Sequence, residues 1–508
     1  MNSKKIISVI LSIIMILSVC GCGKATENHL RLQRTDWSED VKTAVNDLLE
    51  SYGVDSSAYV EDTYAVFDFD NTSSVFDIEE QLCIYQIETM SFAITPDEIA
   101  GILLTDLSDK DADLSEYGLI KGSYQDIVND IAKAYKYLWN TYGPFTAKGL
   151  DEGKAAKVQK DEQWLEFGTK LRLLYELVYD VESSKVAYPW LLYWFTGMTE
   201  QEVYDLAYKS HLKYSKLETS EVTWTSPETI TSGIGSVSYT WTSGFSVTEN
   251  IRELWKTLQD NGIDVWVCSA SCTGAVRAAI DVCGLHDYCT GMTAMTTKTD
   301  SSGKYITSYD YETGCGFYAD SDGKWTKMTR PTKAQTFAEG KVEAISNAIA
   351  PEYKNHGPIA GFMDSTGDFN FCTEFKTLKL VCCFNRASRK VTDGGGLVAE
   401  VAMYEKNTLG YDFKTADEKG DTLYVLQGRD ENGMRSFRNS NATLRYNSAE
   451  EKLFSNEDNQ TQLDYIITNA MTVSEAFSTF AVKKSAEESP LNIKTGFFDS
   501  YSGYHTVD

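Results

Sequence analysis

Apolar runs that end in a carboxylate or a hydroxyl recur three times along this chain. Tyr64-Ala65-Val66-Phe67 leads into Asp68-Phe69-Asp70-Asn71-Thr72, and Ile263-Asp264-Val265-Trp266-Val267-Cys268 leads into Ser269-Ala270-Ser271. Pro358-Ile359-Ala360-Gly361-Phe362-Met363 leads into Asp364-Ser365-Thr366-Gly367-Asp368. Short, nearly continuous apolar runs of high strand propensity predict strands buried on both faces, the habit of a parallel sheet. Leu378 to Phe384 predicts one more. Helical signals stand between them. Ser246-Val247-Thr248-Glu249 has capping-box spacing, Ile251, Leu254 and Leu258 follow at helical intervals, and Gly262 marks a stop. Helix, glycine, strand and hydroxyl in that order predict a right-handed α/β unit, with a further helix from Gly274 to Ile280.

Between Thr72 and Gly244 lie roughly 170 residues, too many for a connection and enough for a domain. Tyr124 to Tyr137, Gln163 to Tyr179 and Glu200 to Tyr214 all space apolar residues at i, i+3 and i+4, so this insert is expected to be helical. Thr290 to Thr336 is rich in Thr, Gly and Asp, and Asp320-Ser321-Asp322-Gly323 has the composition of a hairpin turn. The expected organisation is a signal segment over 1–22 and a tether with a short helix (Val41 to Tyr52) over 23–60. An α/β core follows over 61–85 and 245–386, carrying a β insertion at about 290–336, with a helical cap over 86–244. Residues 387–508 form a segment of unassigned role packed on the core, with a strand at Thr422 to Leu426 and a turn or linker at Gly394-Gly395-Gly396.

The N-terminus sets the compartment. Lys4 and Lys5 precede an apolar run from Ile6 to Val19, too short to span a bilayer as a mature helix and suited to the core of a signal peptide. The run closes on Val19-Cys20-Gly21-Cys22, which resembles a bacterial lipobox and implies cleavage before Cys22 with lipid on its thiol. The expected location is the extracytoplasmic face of the bacterial membrane, with the membrane itself a partner through the anchor.

Composition narrows the partners further. The 508 residues are 42% hydrophobic and 12% aromatic, enough for sizeable cores, and the net charge of −27 is repelled by nucleic acid and anionic lipid. Nine cysteines follow the signal segment, an odd number without Cys-x-x-Cys spacing, which argues against a full disulfide framework and against a zinc site. Five scattered histidines suggest no His-based catalyst.

The chemistry therefore rests on the acids. Asp68 and Asp70, two residues apart at a strand end, repel unless a cation or a shared proton relieves them. Ser269, at the next strand end, can hold a phosphate oxygen. Lys341, after Gly340 at a helix start, can neutralise a carboxylate and a phosphate together; Lys327 and Lys333 are the fallbacks. Asp364 and Asp368 supply further hard oxygen ligands of the kind Mg²⁺ prefers.

Asp68-x-Asp70-x-Thr72 after an apolar strand, Ser269-Ala270-Ser271, Gly340-Lys341 and Asp364 to Asp368, in this order, resemble the four motifs of the haloacid dehalogenase-like (HAD) phosphatase superfamily. The fold this implies is a Rossmann-like α/β core with a parallel sheet, and a large helical cap inserted between the first and second motifs. The resemblance assigns Asp68 as nucleophile, Asp70 as general acid and base, and Thr72, Ser269 and Lys341 as phosphate-binding groups. Asp68, the Asp70 carbonyl and Asp364 would hold Mg²⁺, and Asp368 would orient Lys341 or a metal-bound water. Met363 stands where the family has Gly. Within the superfamily, Asp68 to Thr72 followed by Phe76-Asp77-Ile78-Glu79-Glu80 is similar to bacterial exported phosphorylcholine phosphatases. A small phosphomonoester such as phosphocholine is the expected substrate. Six of the ten tryptophans fall in the cap, most densely in Tyr188-Pro189-Trp190-Leu191-Leu192-Tyr193-Trp194-Phe195. Trp190, Tyr193, Trp194 and Glu80 are the candidates for a cage around a quaternary ammonium, where each cation–π contact contributes up to ~2 kcal/mol. The alternative is a non-catalytic lipoprotein that captures choline-like solutes through that aromatic cap.

Overall fold

The computed structural model describes residues 31–332, 334–386, 394–451, 457–476, 479, 490 and 491. The signal segment with Cys22, and the fallback Lys333, lie outside them. At the centre is a sheet with eight strands among the described residues: β1 (Thr63–Phe67), β2 (Ile263–Cys272), β3 (Gly291–Met295), β4 (Cys315–Ala319), β5 (Trp325–Lys327), β6 (Ala360–Met363), β7 (Leu380–Phe384) and β8 (Leu423–Gln427). Their spatial order is β8-β7-β6-β1-β2-β3-β4-β5. The strands from β8 to β3 run parallel, and β4 and β5 add antiparallel at one edge. This is a mixed α/β fold with a Rossmann-like core.

From β1 the chain builds one flank through β2 and β3, then crosses back to build the other through β6, β7 and β8. The order reverses between β1 and β6, so a crevice opens there at the carboxyl ends of the strands. Register places Ala65 between Ala360 and Val265, and Phe67 between Phe362 and Val267. Phe67 and Phe362 stack with ring centroids 3.9 Å apart, which locks the two strands that deliver Asp68 and Asp364. Burial of such a ring contributes ~1.5–3 kcal/mol.

Helices in the first part of the chain are α1 (Glu39–Tyr52), α2 (Ile78–Thr89), α3 (Tyr124–Tyr142), α4 (Glu162–Glu182), α5 (Ser184–Leu191) and α6 (Glu200–Tyr214). Then come α7 (Glu249–Asp260), α8 (Thr273–Val282) and α9 (Glu339–Ala344). The insert between Thr72 and Gly244 holds α2 to α6 and also a hairpin, Ser220–Thr225 with Ser238–Ser243. Its two connections to the core pair with each other: Val75 N–H donates to the Ser246 carbonyl at 2.7 Å, and Ser246 N–H returns to Val75 at 3.2 Å. That pairing engages Ser246, so α7 starts two residues later than the capping-box spacing predicts, with Thr248 as its N-cap.

Three expectations about organisation need correction. Residues 32–60 are no tether. Leu32 and Trp37 are buried, Trp37 Nε1 donates to Glu253 at 2.8 Å, and α1 packs its apolar face on β7 and β8. The core does not end at 386, because β8 pairs in parallel with β7. Gly394-Gly395-Gly396 is no linker but the start of a helix, Gly394–Leu409. In addition, the segment 290–336 contains β3, a parallel core strand, besides its antiparallel additions. Beyond β8 a small sheet forms from Arg429–Asp430, Ser436–Phe437, Thr443–Leu444 and Glu450–Glu451. Its Arg435 donates to the carbonyls of Leu217 (2.7 Å) and Phe245 (2.9 Å), beside the returning connection of the cap.

Candidate active site

Asp68 follows β1, and its N–H donates to the Phe362 carbonyl at 3.0 Å, extending the ladder to β6 by one bond. Asp364 follows β6, and Asp368 closes the next turn. Lys341 reaches in from α9, with Nζ 2.6 Å from Asp68 Oδ1 and 2.5 Å from Asp368 Oδ1. All four are buried. Burial pushes the Asp68 carboxyl up to about 7, with Asp368 adding and Lys341 opposing. Burial acts to lower the Lys341 pKa, but Asp368 and Asp68 outweigh it and keep the ammonium charged.

Oxygen atoms of Asp68, Asp364 and Asp368 lie within 4.8 Å of one another. Burial raises Asp364 well above the carboxylate range, and of its two oxygens Oδ2 accepts no hydrogen bond, though Arg386 Nη1 stands 3.2 Å away. Three crowded carboxylates, with a buried oxygen left without a donor, fit a small divalent cation with a preference for hard oxygen, such as Mg²⁺. Asp70 contributes no carboxylate oxygen to this triad.

The Asp70 carboxylate is engaged elsewhere. Its Oδ1 accepts from Ile78 N–H at 2.6 Å, and its Oδ2 accepts from the Ser271 hydroxyl at 2.6 Å. Burial, then Asp77 and Asp68, push its pKa well above the ordinary value. Thr72 and Ser269 do not line the cavity above Asp68. The Thr72 hydroxyl donates to Asp364 Oδ1 at 3.1 Å, and Ser269 Oγ accepts from Ser271 N–H at 3.1 Å. Ser271 lines the cavity instead, the second hydroxyl of Ser-Ala-Ser, where the pairing of β2 with β3 becomes irregular. Arg386 also lines it, a residue that no sequence motif singled out.

No family model matches the chain, and no curated protein matches it. Among solved structures, a conserved protein of unknown function from Anaerococcus prevotii DSM 20548 superposes with a TM-score of 0.64 and 26% identity. The match covers 82% of this chain and 99% of that one, so the two share a fold. Cytosolic 5'-nucleotidase IIIB bound to cytidine aligns at a TM-score of 0.26 and 12% identity, over 70% of this chain and 81% of its own; that likeness carries no argument.

The cavity has a volume of about 340 Å³, with Asp68, Asp70, Lys341 and Asp364 at its floor. The rest of its lining comes from Asp77 and Glu79 at the start of α2, beside Asp70, from Arg172, Tyr175, Glu176 and Tyr179 of α4, Tyr188 of α5, and Phe337. Tyr188 meets Phe337 edge to face at 5.2 Å and Tyr179 at 5.9 Å. Glu79 is buried, accepts Cys272 N–H at 2.9 Å, and is pushed up to about 8 by burial and by Asp77. Asp77 caps α2 and is raised by burial and Glu80. Neither forms an ion pair among the described residues.

The expected cage is not where the sequence suggested. Trp190, Tyr193 and Trp194 are buried in the cap and do not line this cavity: Trp190 Nε1 donates to the Leu103 carbonyl at 3.1 Å, and Tyr193 OH donates to Asp106 at 2.5 Å. Their helical spacing served the cap's own core. Glu80 does line the cavity, but Arg172 holds it at 2.7 Å and Tyr239 OH at 2.8 Å. Lys327 points elsewhere, 3.5 Å from Glu200.

Proposed function

We propose that this protein is a Mg²⁺-dependent phosphomonoesterase that forms an aspartyl-phosphate on Asp68 and acts on a small substrate with a cationic leaving group, phosphocholine first. The observation that carries this reading is the pairing of buried Asp68 with Lys341 inside an acidic triad, at the carboxyl end of the central strand and beneath a cavity. The resemblance of four ordered motifs to the HAD phosphatases supports the same chemistry.

In the proposed reaction an Asp68 oxygen attacks phosphorus in line, and the bond to the leaving oxygen breaks. The Asp70 carboxyl gives that oxygen its proton, then takes one from the water that attacks the aspartyl-phosphate and releases phosphate. The Lys341 ammonium balances charge on the phosphoryl oxygens. Asp68, Asp364 and the Asp70 carbonyl would hold Mg²⁺, which when bound supplies charge neutralisation at the phosphoryl group.

The choice of leaving group rests on the cap residues that line the cavity. Asp77 and Glu79 bring two acids that form no ion pair among the described residues and whose ionised forms a bound cation would favour, and Tyr175, Tyr179, Tyr188 and Phe337 add aromatic rings. A trimethylammonium group offsets the first and meets the faces of the second. Phosphoserine is a second reading that one observation favours: Arg172 Nη1, in the same lining, is buried without a hydrogen-bond partner, and a substrate carboxylate would satisfy it. The signal-like run ending at Cys22 supports export and lipid anchoring at the outer membrane face. Among the described residues no helix is long and apolar enough to cross a membrane.

Phosphate release by protein starting after Cys22, with Mg²⁺, across phosphocholine, phosphoethanolamine, phosphoserine and p-nitrophenyl phosphate tests the proposal. Preference for phosphocholine, lost in EDTA, is the expected result. Preference for phosphoserine would replace the substrate and keep the chemistry, and no release from any of the four would overturn the enzyme reading.

A further inference from the structure

The chain beyond the core returns to the catalytic loop. Arg429, in the small C-terminal sheet, is 2% exposed. Its Nη1 donates to the Asn71 carbonyl and its Nη2 to Asn71 Oδ1, each at 3.1 Å. Glu431 Oε1 accepts from Nε (3.1 Å) and Nη2 (2.8 Å) of the same guanidinium, which fixes the fork from a second direction.

Asn71 stands between Asp70 and Thr72, lines the cavity and adopts φ +60°, ψ −3°. The left-handed region is disfavoured for most L-residues, and Asn is among the few that visit it. The turn this makes sends Asp70 toward Ile78 N–H and Ser271 on one side, and Thr72 toward Asp364 on the other. A shift at Asn71 displaces both. Arg429 contacts both oxygens of that one residue, in a planar fork that lysine cannot reproduce.

We propose that Arg429 is a positioning residue for the reaction, setting the Asp68–Thr72 loop through Asn71, so that the C-terminal sheet braces the active site. The inference gives a role to a segment that carries no catalytic motif; its kinetic part rests on the phosphatase reading above.

Four proteins test it: wild type, Arg429→Ala, Asn71→Gly and the double variant, with kcat and KM on p-nitrophenyl phosphate in Mg²⁺ and hydrogen exchange of residues 68–77. The expected result is a kcat roughly a hundredfold lower for Arg429→Ala, the scale of a misplacement near 1 Å, with KM little changed. Methylguanidine below denaturing concentration should restore part of kcat. The same substitution should cost less in the Asn71→Gly background, which removes the Oδ1 contact and keeps the carbonyl one, and exchange at 68–77 should rise while the rest of the sheet stays protected. A folded Arg429→Ala with full kcat, or a loss that is unrescued and additive with Asn71→Gly, would overturn the proposal. Should Arg429→Ala fail to fold, Arg429→Lys keeps the charge opposite Glu431 and loses the paired donation, and the same comparisons apply. If wild type hydrolyses no phosphomonoester, the phosphatase reading falls by itself. Exchange at 68–77 then decides the brace, and unchanged protection in the variant overturns it.

Discussion

Lys341 Nζ stands 2.6 Å from Asp68 Oδ1 although 273 residues separate the two along the chain. The same ammonium meets Asp368 at 2.5 Å, so one buried lysine offsets carboxylates from the ends of two different strands. The proposed chemistry would depend on that offset.

Lys341→Met should therefore destabilise as well as inactivate. Breaking a buried ion pair leaves uncompensated charge at a cost of ~3–5 kcal/mol. Urea unfolding in EDTA should show a loss of about that size, and phosphate release should disappear. A variant as stable as wild type would mean that the triad is already neutralised by its protons.

Asp70 sets the expected pH dependence. Burial raises its pKa, so the carboxyl remains protonated, and competent as an acid, at a higher pH than an exposed aspartate. Raising the pH through the folded value removes that proton, and kcat should fall on the alkaline side. Asp70→Asn should lower kcat by ~10²–10⁴-fold and flatten that limb. An unchanged alkaline limb in Asp70→Asn would assign it to another group.

Glu79 and the tyrosines that line the cavity, not the tryptophan cluster, should control substrate choice. Glu79→Gln and Tyr188→Leu are expected to raise KM for phosphocholine several-fold, as loss of a carboxyl that a bound cation would hold ionised, or of one cation–π contact, implies, and to leave KM for p-nitrophenyl phosphate nearly unchanged. Trp190→Ala should instead destabilise the cap by ~3–5 kcal/mol without altering relative preference among substrates in the folded fraction. The opposite pattern would return the cage to the tryptophans.

His211 offers a stability test far from the chemistry. It is fully buried, with Nε2 3.1 Å from the Ala275 carbonyl and Nδ1 without a partner, and burial pulls its pKa down to about 4 from 6.5. The unfolded chain therefore binds the proton more readily than the folded one. The contribution to stability is complete above pH 6.5, declines as pH falls toward 4, and is lost below that, by roughly 3 kcal/mol. The stability gap between wild type and His211→Gln, from urea titrations at several pH values, should narrow by about that amount across this window. A constant gap would contradict the burial argument.

The sequence made local features legible and hid distant ones. The strands before Asp68, Ser269 and Asp364 were readable because burial on both faces leaves an uninterrupted apolar run. Lys341 could be picked from its glycine-preceded helix start, yet its two partners are visible only in the folded chain. Trp190 and Trp194 misled because apolar residues at helical spacing look the same whether they face a ligand or a core. Ser269 stands first after the apolar run and so hides Ser271, and only the irregular end of β2 decides which hydroxyl reaches the cavity. Arg429 left no trace at all: its partner Asn71 lies 358 residues earlier, and one arginine in a polar stretch carries no periodic signal.

In the proposed reaction Asp68 becomes phosphorylated during turnover. Rapid acid quench of wild-type protein mixed with phosphocholine and Mg²⁺, followed by peptide mass analysis, tests it most directly. Phosphoryl mass is expected on the peptide containing Asp68, absent in Asp68→Asn and accumulating in Asp70→Asn with p-nitrophenyl phosphate, whose leaving group needs no acid. Steady phosphate release with no phosphorylated peptide in any of these, or with Asp68→Asn fully active, would contradict it.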